Sequence, residues 1–344
     1  MTPKLSICIP TYNFGEFIGE TIESIVNQAP EGVEMVVVDG ASTDNTQSVV
    51  NHWQIKYPGI KYFRLEKRGG IDRDLARSVE LASGDYCWLF SSDDVMRPYA
   101  IQRLVARLND DCDIYVCEHS ICDKNMRILR GHPLFSDDLS RVVEFSNSTQ
   151  RRECMAAGGN TEVLFSFMSG LIVSRKKWLS VSPDAEFVGS CWWHVVRLLE
   201  LARTQLRVCY VSEVWLDKRG DNDSFLERGL VNRFKIAVDG FVRISTHFYG
   251  AESVETGNVR RYLRNELSLG AFLYARDRAI QSPDLENILE LDRMFDTCYG
   301  NCGLRGWAAG VLYYHLPVPV YHRLKALYKF MRSGLRWARG RARK

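Results

Sequence analysis

Three short apolar runs in the first hundred residues each end in polar turn residues, and this repetition constrains the fold more than any other feature. The runs are Ser6–Pro10, Met35–Val38 and Tyr86–Phe90. Amphipathic helical patterns lie between them, at residues 16–28, 44–56 and 72–82. Strands that alternate with helices are typical of βαβ units. The sequence therefore predicts an α/β fold with a mostly parallel sheet that is flanked by helices.

Acidic side chains follow two of these strands, where each strand leaves the sheet. Asp39 comes directly after the second run, and Asp93 and Asp94 lie just beyond the third. Because ligands of such sheets bind outside the carboxyl ends of the strands, we expect the three carboxylates to face one crevice. Two alternatives stay open: the pair could cap a helix predicted from Arg97, and Asp39 could be a turn residue before Gly40.

Three ordered motifs resemble the nucleotide-sugar half of family 2 glycosyltransferases, which have the GT-A nucleotide-binding fold. The motifs are residues 6–13, 38–46 and 81–94, and the resemblance covers roughly residues 4–110, about a third of the chain. Segments 70–75 and 81–90 are also similar to abequosyltransferase-type enzymes of O-antigen synthesis. The resemblance implies transfer of a sugar from a nucleotide-diphosphate donor to an acceptor, mostly with inversion.

The resemblance also implies roles for residues at this edge of the sheet. A divalent cation, Mg²⁺ or Mn²⁺, would be held by Asp93 and Asp94, because hard cations prefer carboxylate oxygen. The family often has another aspartate two residues before the pair, where this chain has Ser91, so the number of metal ligands stays open. The residues expected to contact the donor are Pro10, Thr11, Tyr12, Asp39, Asp72, Arg73, Asp93 and Arg219. Arg219 is included from the residues alone: it lies in a polar loop with Asn222 and Asp223 that could close over the diphosphate, and the alternative is a solvated turn.

The general base that would deprotonate the acceptor hydroxyl is not fixed by the sequence. Family members commonly present an acidic pair at the start of a helix in the second half, but the corresponding residues 187–194 lack it. His194 lies at about that place, and an unperturbed histidine pKa of about 6.5 suits a base near neutral pH. Asp184 and Glu186 are the other candidates. The alternative for His194, beside two tryptophans, is a packed core residue.

The second half of the chain predicts a helical C-terminal module. We expect a catalytic domain over residues 1–224, with a donor half to about 115 and an acceptor half from 116, followed by the module over 225–344. Its apparent helices lie near residues 229–248, 258–276, 283–297 and 320–338. The acceptor is expected to be a glycan or a lipid-linked oligosaccharide.

The charge of the chain is unevenly distributed. Ten Lys or Arg and no acidic residue follow Asp296, whereas the rest of the chain has 35 basic and 42 acidic side chains. A basic amphipathic tail over about 307–344 therefore predicts binding to an anionic membrane surface. A core-packed helix with a frayed basic end is the alternative, and no nucleic acid is expected as a partner.

The ten cysteines are scattered through core-like runs, without a CxxC pair or a Cys and His set of zinc-site spacing. They predict reduced, mostly buried thiols. The sequence shows no signal peptide and no apolar stretch of about 20 residues. We therefore expect a cytoplasmic protein that lies peripherally on the inner face of the cell membrane.

Two other functions stay open. A nucleotidyltransferase would also hold a cation at such an edge, but it normally has a glycine-rich basic loop after the first strand, where this chain has Pro10–Phe14. A non-catalytic glycan-binding or scaffold protein at the membrane is favoured if the candidate bases cannot reach an acceptor. The donor sugar, the nucleotide base, the acceptor, the linkage and the oligomeric state are not indicated.

Overall fold

The computed structural model describes residues 5–30, 32–108, 111–281, 285–317, 320, 321 and 323. Ten strands in this part of the chain form one mixed sheet. They are β1 (Leu5–Thr11), β2 (Glu34–Asp39), β3 (Ile60–Arg64), β4 (Tyr86–Leu89), β5 (Val95–Met96), β6 (Ile114–Cys122), β7 (Ile128–His132), β8 (Arg141–Glu144), β9 (Leu171–Ser174) and β10 (Arg207–Lys218). Their order is β3-β2-β1-β4-β9-β6-β10-β5, with β7 beside β6 and β8 beside β10.

Helices cover the sheet and continue to the C-terminal region. They are α1 (Ile18–Val26), α2 (Thr46–Lys56), α3 (Ile71–Leu81), α4 (Ala100–Arg107), α5 (Ser148–Ala157), α6 (Arg175–Leu179), α7 (Trp193–Leu201), α8 (Leu230–Tyr249), α9 (Val254–Glu266), α10 (Leu269–Gln281), α11 (Leu285–Tyr299) and α12 (Gly303–His315). Among the helices that the structure describes, none is long and apolar enough to cross a membrane.

Both faces of the sheet are buried, which explains why its first strands are continuous apolar runs. All seven residues of β1 are buried. Ile7 and Ile9 pack in one core with α1, whereas Cys8 packs on the opposite face in a second core that includes Leu75 and Val79 of α3. Successive strand residues point to opposite faces, so one run of apolar residues supplies both cores.

The sheet is mixed rather than mostly parallel as expected. β3, β2, β1 and β4 are parallel neighbours. Beyond β4, β9 runs antiparallel to both β4 and β6, and β10 is parallel to β6. The α/β fold is confirmed, but the chain reverses direction between β6 and β7, and β8 and β9 keep this reversed direction.

The C-terminal helices share a core with the sheet. Val196 of α7, Phe241 of α8 and Tyr262 of α9 belong to the same buried cluster as Cys8 of β1. The predicted helix at 258–276 is in fact two, α9 and α10, because Leu267 leaves the helical conformation and Ser268 accepts from the backbone N–H of Ala271. Residues 324–338 of the last predicted helix lie outside the described residues.

Candidate active site

The turn after β4 buries a carboxylate at the carboxyl edge of the parallel strands. The backbone N–H of Phe90 still bonds to Cys8 O, and Asp94 four residues later is only 2% exposed. Asp94 Oδ2 accepts from the Ser169 hydroxyl at 2.6 Å, and Oδ1 accepts from the backbone N–H of Arg219 at 3.0 Å. The pair does not cap a helix: α4 begins at Ala100, after the short strand β5.

Burial and a neighbouring charge disfavour ionisation of the Asp94 carboxyl group. Desolvation is the main cause and the charge of Asp93 the second, and together they raise the pKa of Asp94 to about 8. The Ser169 hydroxyl, Lys218 and the Arg219 N–H act in the opposite direction. A divalent cation beside the two carboxylates would supply the missing positive charge. The oxygen donors and the charge of the pair therefore fit Mg²⁺ or Mn²⁺.

Arg219, which was expected to contact the donor, stabilises this turn through hydrogen bonds. Its Nε donates to the backbone oxygen of Asp93 at 2.8 Å, and its guanidinium also bonds to Glu20 at 2.5 Å and to Lys124 O at 2.6 Å. Asp93 itself accepts from the Ser91 hydroxyl and, at 2.5 Å, from Asn222 Nδ2. Ser91, at the position where the family often has an acid, is thus a donor to the pair.

Asp39 lies at the same edge, one strand away from β4 across β1. It is the Cα partner of Thr11 in the register of β1 and β2 and is fully buried. Its Oδ1 accepts from the backbone N–H of Ser42 at 2.7 Å, and Oδ2 accepts from the Tyr62 hydroxyl at 2.5 Å. Asp39 therefore closes its own turn and also presents a carboxylate beside Thr11. Pro10 precedes Thr11 in β1.

Asp74 is a buried acid of this edge that the sequence analysis missed. It is 3% exposed, and its Oδ1 has no hydrogen-bond partner among the described residues. A Cβ atom at Gly40 would lie 2.6 Å from Asp74 Oδ2, so a larger residue there would displace this carboxylate. Burial first, and then Asp39, raise the pKa of Asp74 to about 6, although Arg68 opposes this. Two buried polar atoms near Asp39, Asp74 Oδ1 and Thr11 Oγ1, thus have no hydrogen-bond partner in the described part of the chain.

A cation–π pair lies near these acids. The guanidinium carbon of Arg68 lies 4.0 Å from the centroid of the Tyr12 ring. Both residues retain solvent contact, as does Arg73 in the first turn of α3. The structure thus brings Pro10, Thr11, Tyr12, Asp39, Asp93 and Asp94 to one edge of the sheet, which we call the strand-end crevice.

Asp72 holds a loop and is not open to the crevice. Its carboxylate accepts backbone N–H groups of Gly189 at 2.7 Å, Cys191 at 3.1 Å and Trp193 at 3.2 Å. Gly189 and Cys191 have φ of 91° and 72°, the left-handed region that favours glycine. The carboxylate therefore fixes a strained loop from the second half of the chain onto the first turn of α3.

His194 is a core residue, which argues against it as the general base. It lies on α7, is 7% exposed, and places Nε2 3.1 Å from Phe165 O. Burial is the main cause that lowers the pKa of His194 to about 4. Asp184 and Glu186 are exposed instead, at the 3-10 turn Ala185–Phe187. Asp184 accepts from the N–H of Glu186, whose carboxylate pairs with Arg243 at 2.9 Å.

The fold and the carboxylate-lined crevice define an α/β enzyme of the nucleotide-binding type. Residues 6–171 match the sequence model described as glycosyl transferase family 2. The abequosyltransferase RfbV of Salmonella typhimurium is 33% identical to this chain over 255 residues, which are 71% of this chain and 75% of that protein. The chain belongs to glycosyltransferase family 2 and is a glycosyltransferase.

Solved structures confirm the GT-A type of fold. TarS of S. aureus has a TM-score of 0.58 at 16% identity, over 94% of this chain and 87% of that chain. The mannosyltransferase PcManGT of Pyrobaculum calidifontis, in complex with GDP-Man and Mn²⁺, has a TM-score of 0.54 at 17% identity, over 92% of this chain and 88% of that one. TarS has also been solved with UDP-GlcNAc.

Proposed function

We propose that this glycosyltransferase moves a sugar from a nucleotide-diphosphate donor to a lipid-linked surface glycan, with Mg²⁺ or Mn²⁺ held by Asp93 and Asp94. The observation that carries the proposal is the acidic pair at the same strand ends as Asp39, with Asp94 buried and Asp93 partly exposed. Two comparisons support it: PcManGT binds GDP-Man and Mn²⁺, and the relative RfbV is an abequosyltransferase. The similarity to RfbV favours a deoxy or dideoxy sugar and an O-antigen-type acceptor.

The chemistry requires charge neutralisation at the leaving group. Negative charge builds on the diphosphate oxygen as the glycosidic bond breaks, and a bound cation stabilises it. In this chain Ser169 and the Arg219 N–H orient Asp94, and Asn222 orients Asp93, so that the pair is positioned before the donor binds. Arg219 thus contributes through the turn that it braces.

The nucleoside is proposed to bind at the Asp39 end of the strand-end crevice. Asp39 offers a carboxylate to N–H groups of the base or to the ribose hydroxyls, and the Tyr12 ring offers a stacking surface. Pro10, Thr11 and Arg73 complete the proposed donor contacts. Asp72 acts indirectly, through the loop 189–193 that its carboxylate holds.

A direct displacement that inverts the anomeric centre needs a general base for the acceptor. We propose that Asp184 or Glu186 has this role, because both are exposed acids beside the loop that Asp72 holds. Glu186 is engaged by Arg243, so freeing it requires that ion pair to open. Asp184→Asn and Glu186→Gln separate the two, since only the base variant loses transfer while donor affinity stays unchanged.

The proposed membrane contact has support in α12. Four large apolar side chains share one exposed face of this helix: Leu304, Trp307, Val311 and Leu312. Leu304 and Trp307 are 86% and 70% exposed. Because a strongly basic segment follows, we propose that this face lies on anionic lipid at the inner face of the cell membrane. Most of the basic residues lie outside the described part of the chain.

A transfer assay tests the function. Membranes that contain lipid-linked glycans are incubated with labelled UDP-, GDP-, CDP- and dTDP-sugars, the purified protein and Mn²⁺. We expect label in the lipid fraction with one donor class, and loss of label with Asp94→Asn but not with the exposed control Glu252→Gln. If no donor labels the glycan while the protein still binds these membranes, a scaffold function is favoured.

A further inference from the structure

Two histidines and a glutamate converge in the acceptor half, and none of them hydrogen-bonds to Asp93 or Asp94 in the described part of the chain. His119 is on β6, His132 is its Cα partner on β7, and Glu162 is in the 3-10 turn Thr161–Leu164. One donor atom from each lies within 4.8 Å of the other two. His119 Nδ1 is 3.5 Å from Glu162 Oε2, and His132 Nε2 is 3.3 Å from Glu162 Oε1.

His119 supplies an independent indication that a ligand is missing. Its side chain is fully buried, yet neither ring nitrogen has a hydrogen-bond partner in the described part of the chain. Buried polar groups in folded proteins are almost always paired, and an orphaned one needs an explanation. A metal ion in line with Nδ1 would pair this nitrogen and use the buried carboxylate of Glu162 at the same time.

The spacing of the donor atoms is close to that around a small transition-metal ion. Zinc binds His nitrogen and carboxylate oxygen at about 2.0–2.2 Å, so two ligands at tetrahedral positions are about 3.4 Å apart. Each histidine lies at about this distance from one oxygen of Glu162, His119 at 3.5 Å from Oε2 and His132 at 3.3 Å from Oε1. Because the three donor atoms as a set lie within 4.8 Å of one another, the side chains would move closer together around an ion. Two histidines with one carboxylate leave a fourth position open. His132 is partly exposed and provides the route by which an ion could enter.

The local charge also favours a cation. The carboxylates of Glu118 and Glu266 lie near that of Glu162 and repel it; Glu118 is buried, whereas Glu266 is exposed. Lys218 opposes them. Imidazole and carboxylate together suit Zn²⁺ better than Mg²⁺, which prefers oxygen alone.

We propose that His119, His132 and Glu162 form a binding site for Zn²⁺ or a similar divalent transition metal, separate from the cation site for the donor. The ion would join β6, β7 and the turn 161–164 in the acceptor half. Its role is positioning: the segment after this turn carries Phe167, whose ring lies 4.3 Å from the His119 ring, and Ser169, which donates to Asp94. The metal would thus support the residue that orients Asp94.

The test is a zinc titration of the full chain after treatment with a chelator. Zn²⁺ is titrated in competition with a chromophoric chelator, in buffer with millimolar Mg²⁺ to occupy oxygen-only sites. We expect one equivalent per chain with a dissociation constant below 1 µM, a rise in Tm on binding, and at least 100-fold weaker binding in Glu162→Gln and His119→Asn. Substitution by Co²⁺ should give the visible absorption bands of a tetrahedral site.

Two further variants keep the result decisive. His132→Asn changes a partly exposed ligand and guards against misfolding of the buried variants, and it should also weaken zinc binding. Asp94→Asn should bind zinc as the wild type does, even though it is expected to lose the donor cation. Binding of less than a tenth of an equivalent at 10 µM zinc, or equal binding by wild type and all ligand variants, would overturn the proposal in favour of a metal-free ion-pair cluster.

Discussion

At the scale of single residues, burial decides what each acidic group of the crevice can do. Asp94 and Asp74 are almost fully buried and their pKa values are raised, mainly by desolvation. Asp72 is buried as well, but three backbone N–H groups satisfy its carboxylate and oppose the rise in its pKa. We therefore expect a bound cation or ligand to change the ionisation of Asp94 and Asp74, whereas Asp72 has a structural role.

Asp74 makes stability depend on pH. Its folded-state pKa of about 6 lies above the ordinary value, so the protonated form is favoured by folding. This contribution is fully present below about pH 4 and is lost as pH rises through 6. We expect the unfolding free energy of Asp74→Asn, relative to wild type, to increase by about 1–3 kcal/mol between pH 4 and pH 7.5.

Chemical denaturation at the two pH values measures this difference. The exposed variant Asp138→Asn is the control and should show no such change. A difference between Asp74→Asn and wild type that stays constant from pH 4 to pH 7.5 would show that Asp74 is not perturbed by folding.

Removal of the Asp72 carboxylate should loosen the loop 189–193. Asp72→Ala leaves three backbone N–H groups without their acceptor, and we expect a loss of about 2–4 kcal/mol in unfolding free energy. Asp72→Asn keeps one carbonyl oxygen and should lose less. Hydrogen exchange at Gly189, Cys191 and Trp193 reports the loop directly. Unchanged protection in Asp72→Ala would contradict the assigned role.

The sequence was sufficient to predict the position of acidic residues that directly follow a strand. Asp39, Asp93 and Asp94 were predicted to share one edge because parallel strands end together, and the structure places them there. Asp74 was not predicted from the sequence, because only the tertiary structure shows which residues of the first turn of α3 face Gly40. His119 and His132 were also missed, because a pairing across β6 and β7 leaves no zinc-type spacing in the sequence.

At the scale of elements, the loop before α7 connects α3 to the C-terminal helices. Trp192 Nε1 donates to Ile236 O of α8 at 2.8 Å, and the indole lies directly over Gly240. The Trp192 ring also packs on Phe241, with centroids 4.8 Å apart. Because Asp72 holds the other end of this loop, α8 and α3 are joined through a few residues.

A methyl group at Gly240 tests this contact. A Cβ atom there would overlap with the Trp192 indole, and we expect Gly240→Ala to lower the unfolding free energy by about 1–3 kcal/mol. Gly310→Ala is the matched control, because a Cβ on that α12 glycine meets open space and the helix should gain up to about 1 kcal/mol. Thermal unfolding compares them. Equal stabilisation of both variants would show that α8 can move away from Trp192.

The boundaries of elements were harder to predict than their types. The helix predicted at 229–248 is observed as α8, one residue later at each end. No strand or helix was predicted between residues 124 and 159, yet this segment contains β7, β8 and α5. Pairing with β6 and β10 stabilises these short strands, and such partners are not visible in local sequence.

At the scale of the whole molecule, an excess of positive charge and an exposed apolar helix face both lie towards the C-terminus. The last acidic residue is Asp296, and α12 exposes Leu304 and Trp307. The opposite face of α12 is anchored, since Tyr313 stacks on Phe295 with ring centroids 4.0 Å apart. In our proposal, this arrangement leaves the strand-end crevice on the body of the protein while the tail meets lipid.

The apolar face of α12 is exposed, so we expect its removal to leave the fold intact. We expect the double variant Leu304→Ser and Trp307→Ser to bind anionic vesicles at least tenfold more weakly, with Tm unchanged within about 2 °C. Ile55→Ser, which changes an equally exposed apolar residue of α2, should bind as the wild type does. Vesicle sedimentation measures the effect. Equal binding of all three proteins would exclude α12 from the membrane contact.

The proposed function requires that the strand-end crevice binds a nucleotide diphosphate together with a divalent cation. Calorimetric titration of the protein with UDP, GDP, CDP and dTDP, each with Mn²⁺ and with a chelator, tests it most directly. We expect that one nucleotide binds, that the cation strengthens binding at least tenfold, and that Asp94→Asn abolishes this gain while Glu252→Gln preserves it. Binding that is equally strong with the chelator, or unchanged in Asp94→Asn, would contradict the role of the acidic pair.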